Sequence, residues 1–288
     1  MSAAAYRSPE ARHKVIASYD AILAKWPIPF ESRVLPLSQG ETHLLVCGAA
    51  DLPPLILLHG AGGNATMWFN IIQPLAKIRR VFAFDIPGDV GKSGGAPMDT
   101  KTEGYAAWLE ECFVALGLQR ADVCGVSFGA WLGSRFALKH PGKVGALIML
   151  AGPHLLPVKP GFIFRAIIAS AIPTEGRIRA FYAHLSSPRG KRPPEEAMRD
   201  FILRWRSQQR TPPPVPMITD EELSRLPQRT LLILGKDEAL FDPERAAERV
   251  RKAASQVRVE LIADAGHVLT IDQAETVMKR VLEFLEQG

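Results

Sequence analysis

A series of short, largely apolar runs constrains this chain most. They lie at 55–58, 81–84, 121–126, 146–150, 231–234 and 257–262. Helical patterns near 66–79, 100–117, 128–139, 243–254 and 271–286 fall between them. A strand that is apolar on successive residues must be covered on both faces. Strands of that kind alternating with helices predict a mostly parallel α/β sheet with helices on each side. Two earlier stretches, 32–37 and 42–47, alternate like a hairpin around Gln39-Gly40 and predict an antiparallel edge. The expectation is eight strands, with a helix over 9–25 packed across the outside.

The alternation breaks between 153 and 220. That stretch has no strand pattern, but it has apolar helical pieces at 162–171, 177–185 and 195–205 and proline clusters at 193–194 and 212–216. A long insertion between two core strands reads as a helical lid. The predicted organisation is therefore a core over 1–152, a lid over 153–220 and a second core segment over 221–288. The arginines of the lid read as a solvated face.

Composition narrows the function classes. With 288 residues, 47% of them hydrophobic, the chain can build a large core. The net charge is only +5, from 35 basic and 30 acidic residues, with no basic stripe interleaved with aromatics. Nucleic-acid binding is not expected. Cys47, Cys112 and Cys124 show no metal or redox spacing, which predicts reduced thiols in a cytoplasmic protein. The sequence opens without the apolar stretch of a signal peptide, and no run is long enough for a membrane span.

The candidate chemistry centres on Gly125-Val126-Ser127-Phe128-Gly129. It fits the G-x-S-x-G pattern of a nucleophile elbow, between a predicted strand and a predicted helix. A serine hydroxyl is a weak nucleophile and needs a base, and the base needs an orienting acid. His267, in Ala265-Gly266-His267 after the last strand, is the candidate base. The acid should sit just past 231–234, in Gly235-Lys236-Asp237-Glu238. A G-x-x-acid register selects Glu238, with Asp237 as the alternative. Asp237 also reads as a turn residue bonding nearby amides, and Asp242 before Pro243 as a helix N-cap. The negative oxygen of a tetrahedral intermediate needs two backbone N–H donors. Phe128 is one candidate. Ala61, in His59-Gly60-Ala61-Gly62-Gly63, is the second, with Gly62 as its rival. Trp68, Phe162, Phe181 and Trp205 are candidates for lining a substrate pocket, or they simply pack on the core. Gly91-Lys92-Ser93 looks like the end of a phosphate-binding loop. It lacks the earlier glycine, having Ile86 there, so 85–95 reads as the loop after the fourth strand.

With these residues in view, the chain resembles an α/β-hydrolase over nearly all its length outside the lid. The resemblance rests on Leu57-Leu58-His59-Gly60-Ala61-Gly62, Asp85-Ile86-Pro87-Gly88-Asp89, the elbow, His140-Pro141-Gly142-Lys143-Val144 and Gly266-His267. It looks most like bacillar carboxylesterases of the naproxen-esterase type, through Trp26-Pro27-Ile28-Pro29-Phe30-Glu31-Ser32-Arg33, Gly40-Glu41-Thr42-His43 and Gly88-Asp89 followed by Gly91-Lys92-Ser93. That group uses a glutamate as triad acid, which implies Glu238. The resemblance implies a serine esterase acting on a small-molecule carboxylic ester through an acyl-enzyme, with neither a metal nor an organic cofactor. Thioesters, lactones, carbon–carbon bonds, acyl transfer or plain ligand binding on the same fold are the alternatives.

Overall fold

The computed structural model describes residues 5–209 and 214–287. Pro212 and Pro213 of the expected proline cluster lie outside the described residues. The elements run α1 (Pro9–Leu23), β1 (Phe30–Leu37), β2 (Gly40–Cys47), β3 (Pro54–Leu58), a 3-10 turn (Ala65–Trp68), α2 (Ile72–Ala76), β4 (Arg80–Phe84), α3 (Gly104–Ala115), β5 (Ala121–Val126), α4 (Phe128–Lys139) and β6 (Val144–Leu150). There follow α5 (Pro160–Ala171), α6 (Glu175–Leu185), α7 (Glu195–Ser207), α8 (Asp220–Ser224), β7 (Thr230–Gly235), α9 (Pro243–Ala253), β8 (Val257–Ile262), α10 (Leu269–Asp272) and α11 (Ala274–Glu286).

The strands form one eight-stranded sheet in the order β1-β2-β4-β3-β5-β6-β7-β8. β2 runs antiparallel to β1 and to β4, and the remaining pairs are parallel. The two-residue side-chain period splits each strand between two layers. In β4, Phe82 and Phe84 face Tyr105, Trp108 and Phe113 of α3 and Phe136 of α4. Val81 and Ala83 face the other layer, with Ile72 of α2 and Val277, Val281 and Phe284 of α11. Both faces are dry, so the apolar runs are the physical consequence of the topology. A fully buried side chain such as Phe113 or Phe136 contributes about 2–3 kcal/mol.

Three local differences from the sequence reading have plain causes. The hairpin turn is Ser38-Gln39, one residue earlier than expected, with Leu37 paired to Gly40. Gly40 opens β2 at φ 114°, a value that glycine accepts without strain. The helix expected over 66–79 breaks in two, because Pro74 has no N–H for a continuous ladder and is tolerated only in the first turn of α2. The last helix breaks at Gln273, whose φ is −138°.

Between β6 and β7 lie α5, α6 and α7, with α8 leading back to the sheet. α1 buries Val15 and Tyr19, and it meets α7 through the Ser18 hydroxyl, which donates to Asp200 at 2.7 Å. All three cysteines are buried and unpaired. No helix among the described residues is long and apolar enough to cross a membrane.

Candidate active site

β5 ends at Val126 and α4 begins at Phe128, so Ser127 makes the whole turn. Its backbone sits at φ 50° and ψ −114°, a conformation that costs a non-glycine residue roughly 1–3 kcal/mol. The surroundings hold it there. The Ser127 N–H donates to the Leu150 carbonyl at 2.8 Å, and its own carbonyl accepts from the amides of Ala130 and Trp131. The flanking glycines let the turn close. A Cβ on Gly129 would lie 2.1 Å from the Leu58 carbonyl oxygen, and one on Gly125 would lie 2.2 Å from the Gly129 backbone.

His267 reaches the same point from the loop after β8. Its Nε2 lies 3.0 Å from Ser127 Oγ. Its Nδ1 lies 3.1 and 2.9 Å from the two carboxylate oxygens of Glu238. The Glu238 side chain is fully buried and that of His267 is 12% exposed, so solvent screens this contact little. Glu238 Oε1 also accepts the Leu240 N–H at 2.9 Å, which fixes the carboxylate plane. Asp237 points away. It accepts the Ser187 hydroxyl at 2.6 Å, rather than the nearby amides expected of a turn residue. Asp242 caps α9 as expected, accepting from Glu244 and Arg245.

The loop after β3 presents its amides unequally. Gly62 N–H is committed to Asp89 Oδ1 at 2.9 Å, and Gly63 N–H to the Gly60 carbonyl at 3.0 Å. Ala61 N–H has no partner among the described residues. Phe128 N–H, at the first helical position of α4, has no carbonyl four residues back within its helix. His59 is a staple here. Its Nε2 accepts the Ile86 N–H at 2.9 Å, which places its proton on Nδ1, facing the Gly60 carbonyl at 2.8 Å. Burial pushes this imidazole down to about 4, so it stays neutral. Burial pushes the Asp89 carboxyl up to about 7, against the pull of the Gly62 and Val90 amides and Arg204.

The aromatic candidates divide. Phe162, Phe181 and Trp205 form one cluster across α5, α6 and α7, with ring centroids 5.6 Å apart for Phe162–Phe181 and 4.9 Å for Phe181–Trp205. The Trp205 Nε1 donates to the Ala169 carbonyl, which ties α7 to α5. Trp68 takes the core place rather than a surface one. It is 1% exposed, packed among Ile71, Ile72 and Leu75, because the 3-10 turn faces the layer opposite α4. The Gly91-Lys92-Ser93 loop folds onto Asp85, which takes the Lys92 amide at 2.7 Å on its carboxylate and the Ser93 hydroxyl at 2.6 Å on its carbonyl. Those donors are spent internally, as a plain loop requires.

Sequence reasoning passed over four polar residues. Asp272 is fully buried and accepts the amides of Gly266 and Ser187 and the Ser186 hydroxyl, which ties the His267 loop to the end of α6. His43 is buried with Nδ1 3.0 Å from Asp85 Oδ2. Burial raises the Asp85 carboxyl, but His43 and the Ala65 and Lys92 amides outweigh it and hold it below the ordinary range. Asp89 and Arg204 grip Gly62 from two sides. Most of their partners are distant in sequence: 42 positions for His43 and Asp85, 27 for Asp89 and Gly62, 142 for Arg204 and Gly62.

The family described as the alpha/beta hydrolase fold matches residues 53–274. The carboxylesterase nap of Bacillus subtilis (strain 168) is 30% identical over 275 residues, 93% of this chain and 90% of that protein. Carboxylesterase YbfK of the same organism is 30% identical over 279 residues, 94% of this chain and 93% of that protein. The crystal structure of naproxen esterase from Bacillus subtilis superposes with a TM-score of 0.86 at 28% identity, covering 97% of this chain and 99% of that one. Sheet order, elbow geometry and these likenesses agree, and the chain belongs to the alpha/beta hydrolase fold family.

Proposed function

We propose that this chain is a serine carboxylesterase working through an acyl-enzyme. Ser127 Oγ attacks the ester carbonyl while His267 Nε2 takes its proton. Glu238 keeps the imidazole in the tautomer with Nδ1 protonated and stabilises the imidazolium. The Ala61 and Phe128 amides hold the oxyanion, each worth about 100- to 1,000-fold in rate. The imidazolium gives its proton to the leaving alcohol. Water, deprotonated by the same histidine, then attacks the acyl-enzyme and frees the acid. The observation that carries this reading is the unbroken line from Ser127 Oγ through His267 to Glu238, at 3.0 and 2.9 Å. Esters are the substrate class because two relatives that are 30% identical over more than nine-tenths of this chain carry the name carboxylesterase.

In this reading 153–220 acts as a lid over a core formed by 1–152 and 221–288. Phe162, Phe181 and Trp205 shape the pocket for the acyl or alcohol part of a small ester. The three buried, unpaired thiols support a reducing, cytoplasmic setting.

The test is intact-protein mass after a fluorophosphonate probe, for wild type and Ser127→Ala, with turnover of p-nitrophenyl esters of rising chain length. One adduct and ester turnover, both lost in the variant, are expected. An adduct without ester turnover would move the substrate to another acyl class, and no adduct would overturn the nucleophile.

A further inference from the structure

The amide assigned to the oxyanion has its direction set by contacts on either side. Ala61 N–H shares a peptide plane with the Gly60 carbonyl, and in a trans peptide the two point opposite ways. The Gly60 carbonyl is pinned by the His59 Nδ1 proton at 2.8 Å and the Gly63 amide at 3.0 Å. The next pivot along the chain is Gly62, at φ 69°. Its N–H donates to Asp89 Oδ1 at 2.9 Å, from the loop after β4. Its carbonyl accepts Arg204 Nη1 at 2.6 Å, from α7.

Arg204 is itself held. Its Nε donates to Asp200 Oδ2 at 2.8 Å, and the pair is only 13% and 9% exposed. Asp200 also takes the Ser18 hydroxyl at 2.7 Å, so α1 braces the same group. A guanidinium that bonds a carboxylate on one edge and a carbonyl on the other is fixed in its plane. We propose that Arg204 and Asp89 are positioning residues: they clamp Gly62 and thereby aim the Ala61 amide, coupling the lid helix α7 to stabilisation of the oxyanion. This rests on the esterase reading above. Neither side chain touches the reacting atoms. The clamp acts by excluding conformations in which the loop turns its amide away, and a displacement of about 1 Å at such a donor costs up to about 100-fold in rate.

Arg204→Met keeps the aliphatic stem and removes the donors. Arg204→Lys restores a donor to the Gly62 carbonyl, and Asp89→Ala frees the Gly62 amide. Arg199→Ala, on the exposed side of α7, is the control. The readouts are kcat and KM for a p-nitrophenyl ester and the inhibition constant of a trifluoromethyl ketone, whose adduct with serine carries the oxyanion. Arg204→Met is expected to lower kcat about tenfold or more, to leave KM within about twofold, and to weaken the ketone by the same factor as kcat. Arg204→Lys should recover most of both, and Arg199→Ala should match wild type. Unchanged kcat in Arg204→Met, or a fall in kcat with unchanged ketone affinity, would overturn the clamp. If Arg204→Met does not fold, Asp89→Ala decides by the same signature. Wild type that neither turns over esters nor forms a Ser127 adduct would overturn the esterase reading itself. A working wild type with an unaffected Arg204→Met would overturn the clamp alone.

Discussion

Both carboxylate oxygens of Glu238 lie within hydrogen-bond reach of His267 Nδ1, while its neighbour Asp237 turns outward to Ser187. Two adjacent acids on one tight loop cannot share a histidine. Glu238→Gln offers Nδ1 an amide in place of a carboxylate and loses both the tautomer and the imidazolium partner. It should lower kcat by about 1,000-fold or more. Asp237→Asn keeps an acceptor for Ser187 and should stay within about threefold of wild type. Steady-state kinetics on one ester separates the two, and the reverse ranking would transfer the acid role to Asp237.

Gly129 has no room for a side chain, because its Cβ position lies 2.1 Å from the Leu58 carbonyl oxygen, which is backbone and cannot swing away. Gly129→Ala must lift α4 off β3, at a cost of about 3 kcal/mol or more. A lower melting temperature and a lower yield of folded protein are expected. Gly142→Ala, where a Cβ meets nothing within 4 Å, should melt like wild type.

Asp272 satisfies three donors at once, from Gly266, Ser187 and Ser186. Asp272→Ala leaves them buried without partners and should destabilise by about 3 kcal/mol or more, at about 1–3 kcal/mol per orphaned group. Asp272→Asn keeps the volume and one acceptor, and should be intermediate. Because Gly266 precedes His267, kcat should fall in the folded Asn variant as well. Urea melts paired with kinetics would show this, and an Asn variant with wild-type values in both would remove Asp272 from the account.

His154 gives a pH dependence with a definite sign. It is buried, its Nε2 lies 3.2 Å from the Ser134 hydroxyl, and its Nδ1 has no partner among the described residues. Burial pushes its imidazole down to about 3. Between the ordinary imidazole value of about 6.5 and that lower value, the unfolded chain binds a proton that the folded chain does not. Stability is therefore complete above about pH 6.5 and falls as the pH drops through that window. His154→Leu removes the proton site, and Ser134 still donates to the Trp131 carbonyl. The loss of stability between pH 7 and pH 4.5 should be smaller in the variant than in wild type, read as the shift in urea midpoint. Equal losses would contradict a neutral, buried His154.

Much of the molecule was legible because it is locally encoded. Runs such as Leu55-Ile56-Leu57-Leu58 have no polar face, so only a sheet covered on both sides accommodates them. Ser127 stands between two glycines that the chain needs for a turn this tight. Glu238 follows Gly235, whose Cβ position lies 2.2 Å from the Ala265 carbonyl, so the register of that loop is tied to the loop bearing His267. The place of Trp68 was not legible, because periodicity cannot say which layer a short 3-10 turn faces.

The sequence by itself determined the class of sheet, the place of the insertion and the turns that carry Ser127, Glu238 and His267, because backbone shape there depends on adjacent residues. Only the tertiary structure decided which of two neighbouring acids meets His267, which amide of the glycine loop is left unpaired among the described residues, and which partners Arg204, Asp89, Asp272 and His43 take. Those choices rest on contacts between residues far apart in the chain. A hydrogen bond across 142 positions, as between Arg204 and Gly62, leaves no periodic trace in the order of amino acids.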